Sequence, residues 1–450
     1  MTDTARITLQ TPIRFDDPLP DAVDTVIIGG GVIGVFTALY LAEAGQSVLL
    51  CEKGRVAGEQ SSRNWGWIRQ QGRDEAELPL MIDALRLWKE VDARLDGACG
   101  VRTVGVSYLT TQKSDLARYE TWVETARRHG LQSRMLNAGE VVALFGGRAR
   151  ERWIGGVTTP SDARGEPWKA VPAVARLAQS VGVRIAENCA VRRLELAGGQ
   201  LRGVVTEAGR VACDQVVLAG GAWSSLFLRA HGLNLPQLSV RATALQTHPM
   251  SDFAPGNSVD EGLAMRRRED GGYTLALGDR HGFFLGPDAL RHLHRYMPLI
   301  RDSFAHTDLE PGAPTGFPDS WRTPRGWAAE EETPFERMRV LEPEPVADHI
   351  GLMLSRFAER FPSIGTPIVR DSWAGMIDTM PDVVPVIDRA PGLPGLIVAT
   401  GMSGHGFGIG PGVGRALARM VTGQGPEHGL ARFRYARFTD GTRLRRGPSL

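Results

Sequence analysis

The sequence predicts an α/β chain of two or three domains, and three observations carry that reading. A short apolar strand at 24–28 runs into a glycine-spaced turn, Gly29-Gly-Gly-Val-Ile-Gly34, and then into helical spacing over 35–44. A second apolar strand at 47–50 follows, closing on Cys51 and Glu52, so that strand, helix and strand form one parallel crossover unit. The 450 residues, at about 150 per domain, leave room for more than this one unit.

Composition narrows the class. Lys plus Arg number 52 and Asp plus Glu 51, a formal net charge of +1, which removes the electrostatic case for a nucleic-acid binder or a polybasic membrane-surface protein. A 42% hydrophobic and 23% charged chain is too apolar for disorder. The 54 glycines exceed the usual share of about 7%, which implies many tight turns or close backbone approaches. Cys51, Cys99, Cys189 and Cys213 form no CxxC pair, so neither a metal site nor a disulfide framework is expected and a cytoplasmic setting is favoured. The first twenty residues lack the apolar core of a secretory signal and no stretch of 18 apolar residues occurs. Peripheral contact with a membrane stays open.

Along the chain, residues 1–23 read as an extended polar lead-in. Helices are expected at 80–97, 114–129 and 165–181, with Trp88, Leu95, Leu116 and Trp122 as core anchors. Short strands follow at 184–186, 190–196, 202–206 and 215–218, two of them joined by glycine hairpins. From about 236 to 365 the sequence reads as irregular, with 307–333 a loop rich in Pro, Gly and Trp. A last buried strand at 396–399 leads through a glycine-rich turn into a helix over 412–421.

The spacing of Gly29, Gly31 and Gly34 suits a dinucleotide. The first glycine permits the tight turn, the second lets backbone approach a pyrophosphate, and the third allows helix and strand to pack closely. The helix then presents its positive end to the phosphates. Glu52 lies 23 positions beyond Gly29, near the spacing of about 20 at which a carboxylate accepts hydrogen bonds from a ribose. This motif alone does not separate NAD from FAD.

Three further segments do. Gln60-Ser-Ser-Arg-Asn-Trp-Gly-Trp67, Leu218-Ala-Gly-Gly-Ala-Trp223 and Gly401-Met-Ser-Gly-His-Gly-Phe-Gly-Ile-Gly-Pro411, together with the N-terminal unit, resemble the D-amino-acid oxidase-like family of FAD enzymes, which includes glycine oxidase, sarcosine oxidase and bacterial D-amino-acid dehydrogenases. The resemblance runs from residue 24 to about 422. It implies a Rossmann-like FAD-binding domain (1–90, 150–235 and 366–450) interleaved with an antiparallel-sheet substrate domain (91–149 and 236–365). It also implies that Ser61 and Ser62 contact the pyrophosphate and ribitol, that backbone at Val191 contacts the adenine, and that Ala219, Gly220 and Trp223 lie along the cofactor. Gly401, Gly404, His405, Gly406, Phe407, Gly408 and Ile409 would pass over the flavin ring, with a helix N-terminus aimed at its reducible edge. Two departures stand out. Sarcosine-oxidase-like members carry a lysine where this chain has Gly408, so that second carboxylate contact is missing. They also attach FAD to a cysteine where this chain has Gly375, so FAD is expected to be noncovalent.

The chemistry implied is oxidation of the C–N bond of an amino acid or secondary amine by hydride transfer to flavin N5, giving an imine that hydrolyses. The flavin carries the hard step while the protein orients and excludes water. A substrate carboxylate calls for an arginine, and Arg69, eight residues past Ser61, matches the family's carboxylate-binding position, with Trp67 as an apolar wall. The competing reading, which weighs less, is that Arg69 and Arg73 are surface charges in a polar run. Tyr273 and Arg280 are further substrate candidates, for which a structural role weighs more, and His405 reads as an acid–base group or a backbone-orienting one. Oxygen, a quinone or another acceptor would reoxidise the flavin. Two other readings stay open: a 2-hydroxy acid or polyol dehydrogenase feeding a quinone, and a flavin-holding assembly protein without turnover.

Overall fold

The computed structural model describes residues 6–150 and 152–447. Its first layer is a six-stranded sheet in the order Val386–Arg389, Leu396–Thr400, Gln215–Leu218, Thr25–Ile28, Val48–Cys51 and Arg184–Ala186, parallel except at the Val386–Arg389 edge. Strands buried on both faces read as continuous apolar runs, and TVII, VLLC and LIVAT are such runs. Helices Val32–Glu43, Leu78–Arg94, Pro167–Ser180 and Gly406–Val421 share one large core with this sheet. A three-stranded meander, Val191–Ala197, Gln200–Thr206 and Gly209–Ala212, packs into a second core with the sheet. The order of the strands reverses at the Thr25–Ile28 strand, which has its successor in sequence on one side and Gln215–Leu218 on the other, all three parallel. Open α/β sheets bind ligands at the carboxyl ends of strands flanking such a point.

The second layer is a ten-stranded, mostly antiparallel sheet centred on Leu238–Thr247. This corrects the irregular reading of 236–365, which holds six strands of that sheet, the Thr307–Glu310 strand within the supposed loop among them, and the helices Pro287–Ser303 and Ala347–Arg360. Most of those strands have three or four residues and bury polar side chains such as Arg266 and Thr274, so no alternating apolar pattern betrays them. Two segments also sit differently from the expected division. Gly155–Thr159 pairs with Val106–Thr110, and Val369–Thr379 pairs with Leu238–Thr247 along its length, so both belong to the ten-stranded sheet. The lead-in is anchored rather than free: Phe15 is buried, and Asp16 and Ala22 bridge to Ala186 and Ala212. Of the expected anchors, Trp88 is fully buried while Leu95, Leu116 and Trp122 are only half-buried.

The C-terminal helix begins at Gly406, six residues before the expected start. Its glycines are therefore packing positions. A Cβ at Gly412 would lie 2.3 Å from the Leu80 carbonyl oxygen, and one at Gly414 2.7 Å from Phe36 Cβ, so only glycine lets this helix press onto its two neighbours. Pro411 sits inside the helix and cannot donate to the Phe407 carbonyl four residues back. The Trp88 indole N–H donates to that oxygen instead, at 3.1 Å. Among the described residues, no helix is long and apolar enough to cross a membrane.

Candidate active site

Between the two sheets runs a cavity of about 1190 Å³. At one end it meets the carboxyl ends of the parallel strands. Gly29, ending the first strand, has φ +112° and would place a Cβ 2.4 Å from the Ala219 carbonyl oxygen. A Cβ on Gly34 would lie 2.0 Å from the Gly29 oxygen, which is the close helix-to-strand contact expected of the third glycine. Ser61 accepts from the Val32 amide at 2.9 Å and so caps the first helix at the cavity wall. Glu52 is braced by the Gly30 and Gly54 amides, both at 2.7 Å. Burial outweighs these donors and pushes its carboxyl up to about 7. Lys53 lies 4.4 Å from the Trp223 ring centroid and pairs with Glu59, whose carboxylate also accepts from the Trp223 indole.

Towards the middle the wall passes through Val191, Ala219 and Gly220 to Gly375, Gly404, Gly406 and Phe407. Asp378 fixes the turn before the last helix by accepting from the Gly401 amide at 2.7 Å and from the Gln237 amide at 2.9 Å. Burial raises its pKa.

The opposite end is made by side chains of the ten-stranded sheet and the segment after the second strand. Arg69 is buried in the wall, donates to the Gln71 carbonyl at 2.5 Å and faces the Tyr108 ring at 5.6 Å. Arg73 is buried beside it. Desolvation, with repulsion from Arg69, brings its pKa down to about 9, and its Nη1 has no partner. Among the described residues neither guanidinium has a carboxylate within ion-pair distance. Gln71 accepts from Thr159 at 2.9 Å and leaves its buried Nε2 unpartnered. Asp162, raised to about 6 by burial, accepts from the Gln70 and Gln71 amides and shapes this turn.

Most residues expected at the site line this one cavity: Gly29, Gly31, Glu52, Ser61, Val191, Ala219, Gly220, Trp223 and Gly375, then Gly404, Gly406, Phe407, Arg69, Trp67 and Arg280. Others do not. Ser62 is buried, its hydroxyl donating to the Glu59 carbonyl. Ile409 belongs to the core under the helix, and a Cβ on Gly408 would come 3.3 Å from the Trp67 oxygen, so both serve packing because the helix starts early. Tyr273 is fully buried away from the cavity, its hydroxyl accepting from the Phe253 and Ala254 amides. His405 is buried behind the wall with Nδ1 3.1 Å from Glu77, and burial drops its pKa to about 4. It is neutral near pH 7 and touches no part of the cavity. Arg280 is at the cavity but pairs with Asp308 at 3.2 Å. Sequence reasoning missed Gln71, Tyr108, Tyr119 and Asp378; the nearness of Gln71 to Arg69 was the available signal.

Fold and site define a flavin-dependent oxidoreductase architecture, and the comparisons agree. The chain belongs to the FAD dependent oxidoreductase (DAO) family, whose profile matches residues 24–420. It is 26% identical to the sarcosine oxidase subunit beta of an Arthrobacter species, over 93% of this chain and 91% of that one. It is likewise 26% identical to the glycine oxidase of Pseudomonas aeruginosa, over 89% and 95%. The structure of the L-amino acid deaminase from Proteus myxofaciens in complex with anthranilate superposes with a TM-score of 0.90 at 29% identity, covering 96% of this chain and 97% of that one. The protein is thus an FAD-dependent oxidoreductase of the amino acid or amine oxidase type. The residues present fit the cofactor: the Gly29–Gly34 cradle has no room for side chains toward the strand, and the cavity joins Glu52 to the C-terminal turn.

Proposed function

We propose that the chain oxidises the C–N bond of an amino acid or N-substituted amino acid whose carboxylate is held by Arg69. The observation that carries this reading is the pair of buried guanidiniums, Arg69 and Arg73, set in the cavity wall with no carboxylate within ion-pair distance among the described residues. A buried cation without a counter-ion is costly, and a substrate carboxylate supplies one. The Gln71 Nε2, unpartnered and buried, adds a neutral donor at the same spot. Anthranilate, bound in the Proteus myxofaciens structure, is itself a carboxylate.

Gly29, Gly31, Ser61 and Glu52 would hold the adenosine diphosphate part of FAD, and Gly375, Gly404 and Gly406 would border its ring. Bound FAD supplies the two-electron acceptor that takes the Cα hydrogen as hydride. The chain's own part is positional. Arg69 is fixed by the Gln71 carbonyl and the Tyr108 face, Arg73 by its bond to the Arg69 carbonyl. His405 holds the Glu77 carboxylate near Arg73 and transfers no proton. The apolar wall of Trp67, Ala244 and Leu277 excludes water around the reacting carbon. The released imine hydrolyses to an oxo acid and ammonia or a primary amine. The segment around Gly375 carries no cysteine, which supports noncovalent FAD, and four free buried cysteines suit a cytoplasmic setting.

The test is an anaerobic screen of D- and L-amino acids, N-alkyl amino acids and 2-hydroxy acids, following loss of flavin absorbance. Bleaching by an amino acid, with ammonia or amine released on turnover, is expected. Bleaching by 2-hydroxy acids alone would replace the reading, and acid-precipitated protein that keeps its yellow colour would remove the noncovalent attachment.

A further inference from the structure

We propose that the end of the cavity beyond Arg69 is a subsite for an aromatic side chain, so that the preferred substrate is an aromatic amino acid. This rests on the reading of Arg69 as the carboxylate anchor. Three of the ten tryptophans and two of the six tyrosines line this end. Trp65 and Trp67 meet edge to face with centroids 5.5 Å apart, and Tyr108 meets Tyr119 at 6.3 Å and 63°. Tyr119 and Trp122 project from successive positions of one face of the Lys113–Arg128 helix, spaced three residues apart. The Arg69 guanidinium lies 5.6 Å from the centroid of the Tyr108 ring. A carboxylate on Arg69 therefore stands next to a wall of rings.

The polar atoms of that wall are unsatisfied. The Trp67 and Trp122 indole nitrogens and the Tyr108 hydroxyl are buried and have no partner. Buried polar side-chain atoms are hydrogen-bonded in the large majority of cases, and three exceptions lining one cavity mark a place where a ligand or its water supplies the partner. A small side chain would leave these rings facing water, whereas an aromatic ring buries on the order of 150 Å² or more.

Charge selects against the rival occupant. Aromatic walls also attract cations, but the nearby aspartates are committed, Asp115 to Arg118 at 2.7 Å, Asp260 to Arg360 and Asp279 to Arg356 at 2.7 Å, and the exposed Glu261 at this end is held by the Thr110 hydroxyl and the Thr111 amide and hydroxyl. A guanidinium or ammonium side chain would find no unpaired aspartate here, and at Glu261 it would compete with three hydrogen bonds already made.

The experiment compares kcat/KM of the holoenzyme for both enantiomers of phenylalanine, tryptophan, leucine, alanine and arginine. For the accepted enantiomer, phenylalanine or tryptophan is expected to exceed alanine by on the order of 10²-fold and to exceed leucine. Trp122→Ala should cut the aromatic-to-alanine ratio about tenfold or more, and Trp122→Phe should restore most of it. As a measurement without turnover, titration with phenylacetate against acetate, followed by tryptophan fluorescence and the flavin spectrum, should show at least tenfold tighter binding of phenylacetate. Equal binding of the two acids, or alanine, leucine or arginine matching the aromatic substrates, would overturn the subsite. In that case continued turnover of alanine would leave the Arg69 reading standing, whereas failure of every amino acid to bleach the flavin would end both.

Discussion

The two ends of the cavity are built from different material. The nucleotide end is main chain: a glycine turn, a helix start, the amides of Gly30 and Gly54, and one carboxylate, Glu52, all within 26 residues of one another. The far end is side chain: Arg69, Tyr108, Tyr119 and Leu277 arrive from four separate segments and meet only because two sheets face each other. Backbone recognition demands residues that lack a Cβ at fixed spacing, so it leaves a local signature. Side-chain recognition demands only the right group at the end of some strand or helix, and the topology sets which.

The sharpest way to break this contrast is at Gly29. Its φ of +112° and the 2.4 Å approach to the Ala219 oxygen leave no place for a methyl group. Gly29→Ala is expected to cost roughly 3 kcal/mol or more and to yield protein without bound flavin. Flavin absorbance per chain and the thermal midpoint measure both. A yellow, normally stable Gly29→Ala protein would show that the turn tolerates side chains and that the nucleotide end is not a backbone site.

The far end should respond in another currency. Arg69→Met is expected to keep its flavin but to lose roughly 2–5 kcal/mol of transition-state stabilisation for a carboxylate substrate, seen as a fall of kcat/KM of about 30-fold to several thousandfold. An amine lacking the carboxylate should lose far less. Equal losses for the two substrates would mean that the arginine supports the fold and not the ligand.

This division explains how far the sequence could be read. The TVIIGGGVIG turn and Glu52 were legible because each requirement is local, whereas Ser61 and the residues around Arg69 were reached through family resemblance. Tyr119 was not legible, since one tyrosine on a polar helix looks like any other, and Tyr273 misled because a tyrosine in a strand serves a core as well as a site. The glycines after Gly404 were ambiguous in a different way. GHGFGIGPG suits a loop over a ligand, but its alternate glycines also suit a helix jammed between two others, and Trp88 compensates for the proline that argued against a helix. Asp378 carries its signal only in three dimensions, where it ties the Gly401 turn to Gln237.

Away from the cavity the protein buries titrating groups that neither reading uses for chemistry. Burial lowers His405, His231 and His292 to about 4. A histidine whose folded pKa is depressed binds its proton preferentially in the unfolded chain, so its share of stability is complete above the unfolded value near 6.5 and is lost as pH falls toward 4. Glu77, held low by His405 and Arg73 against its burial, acts in the same direction at lower pH. Stability should therefore drop between pH 6.5 and 4, with His405 accounting for up to about 1.4 kcal/mol per pH unit. Thermal melts across that range should show a shallower slope for His405→Gln, while the neutral-pH rate profile should gain no new ionisation. Loss of a kinetic pKa in that variant would instead make His405 a proton carrier.

The smallest expected effect tests whether Tyr273 belongs to the wall or to the core. Its hydroxyl accepts from two buried amides, those of Phe253 and Ala254, at 3.3 and 3.2 Å, and its ring packs at a tilt of 39° against Phe253 with centroids 5.2 Å apart. Tyr273→Phe keeps the ring and strands the two donors, an expected cost of about 1–2 kcal/mol in unfolding free energy. Substrate affinity should not move, because the hydroxyl points into the sheet core and not into the cavity. A changed KM with unchanged stability would reverse that assignment and would place a side chain of the Tyr273–Ala276 strand at the far end after all.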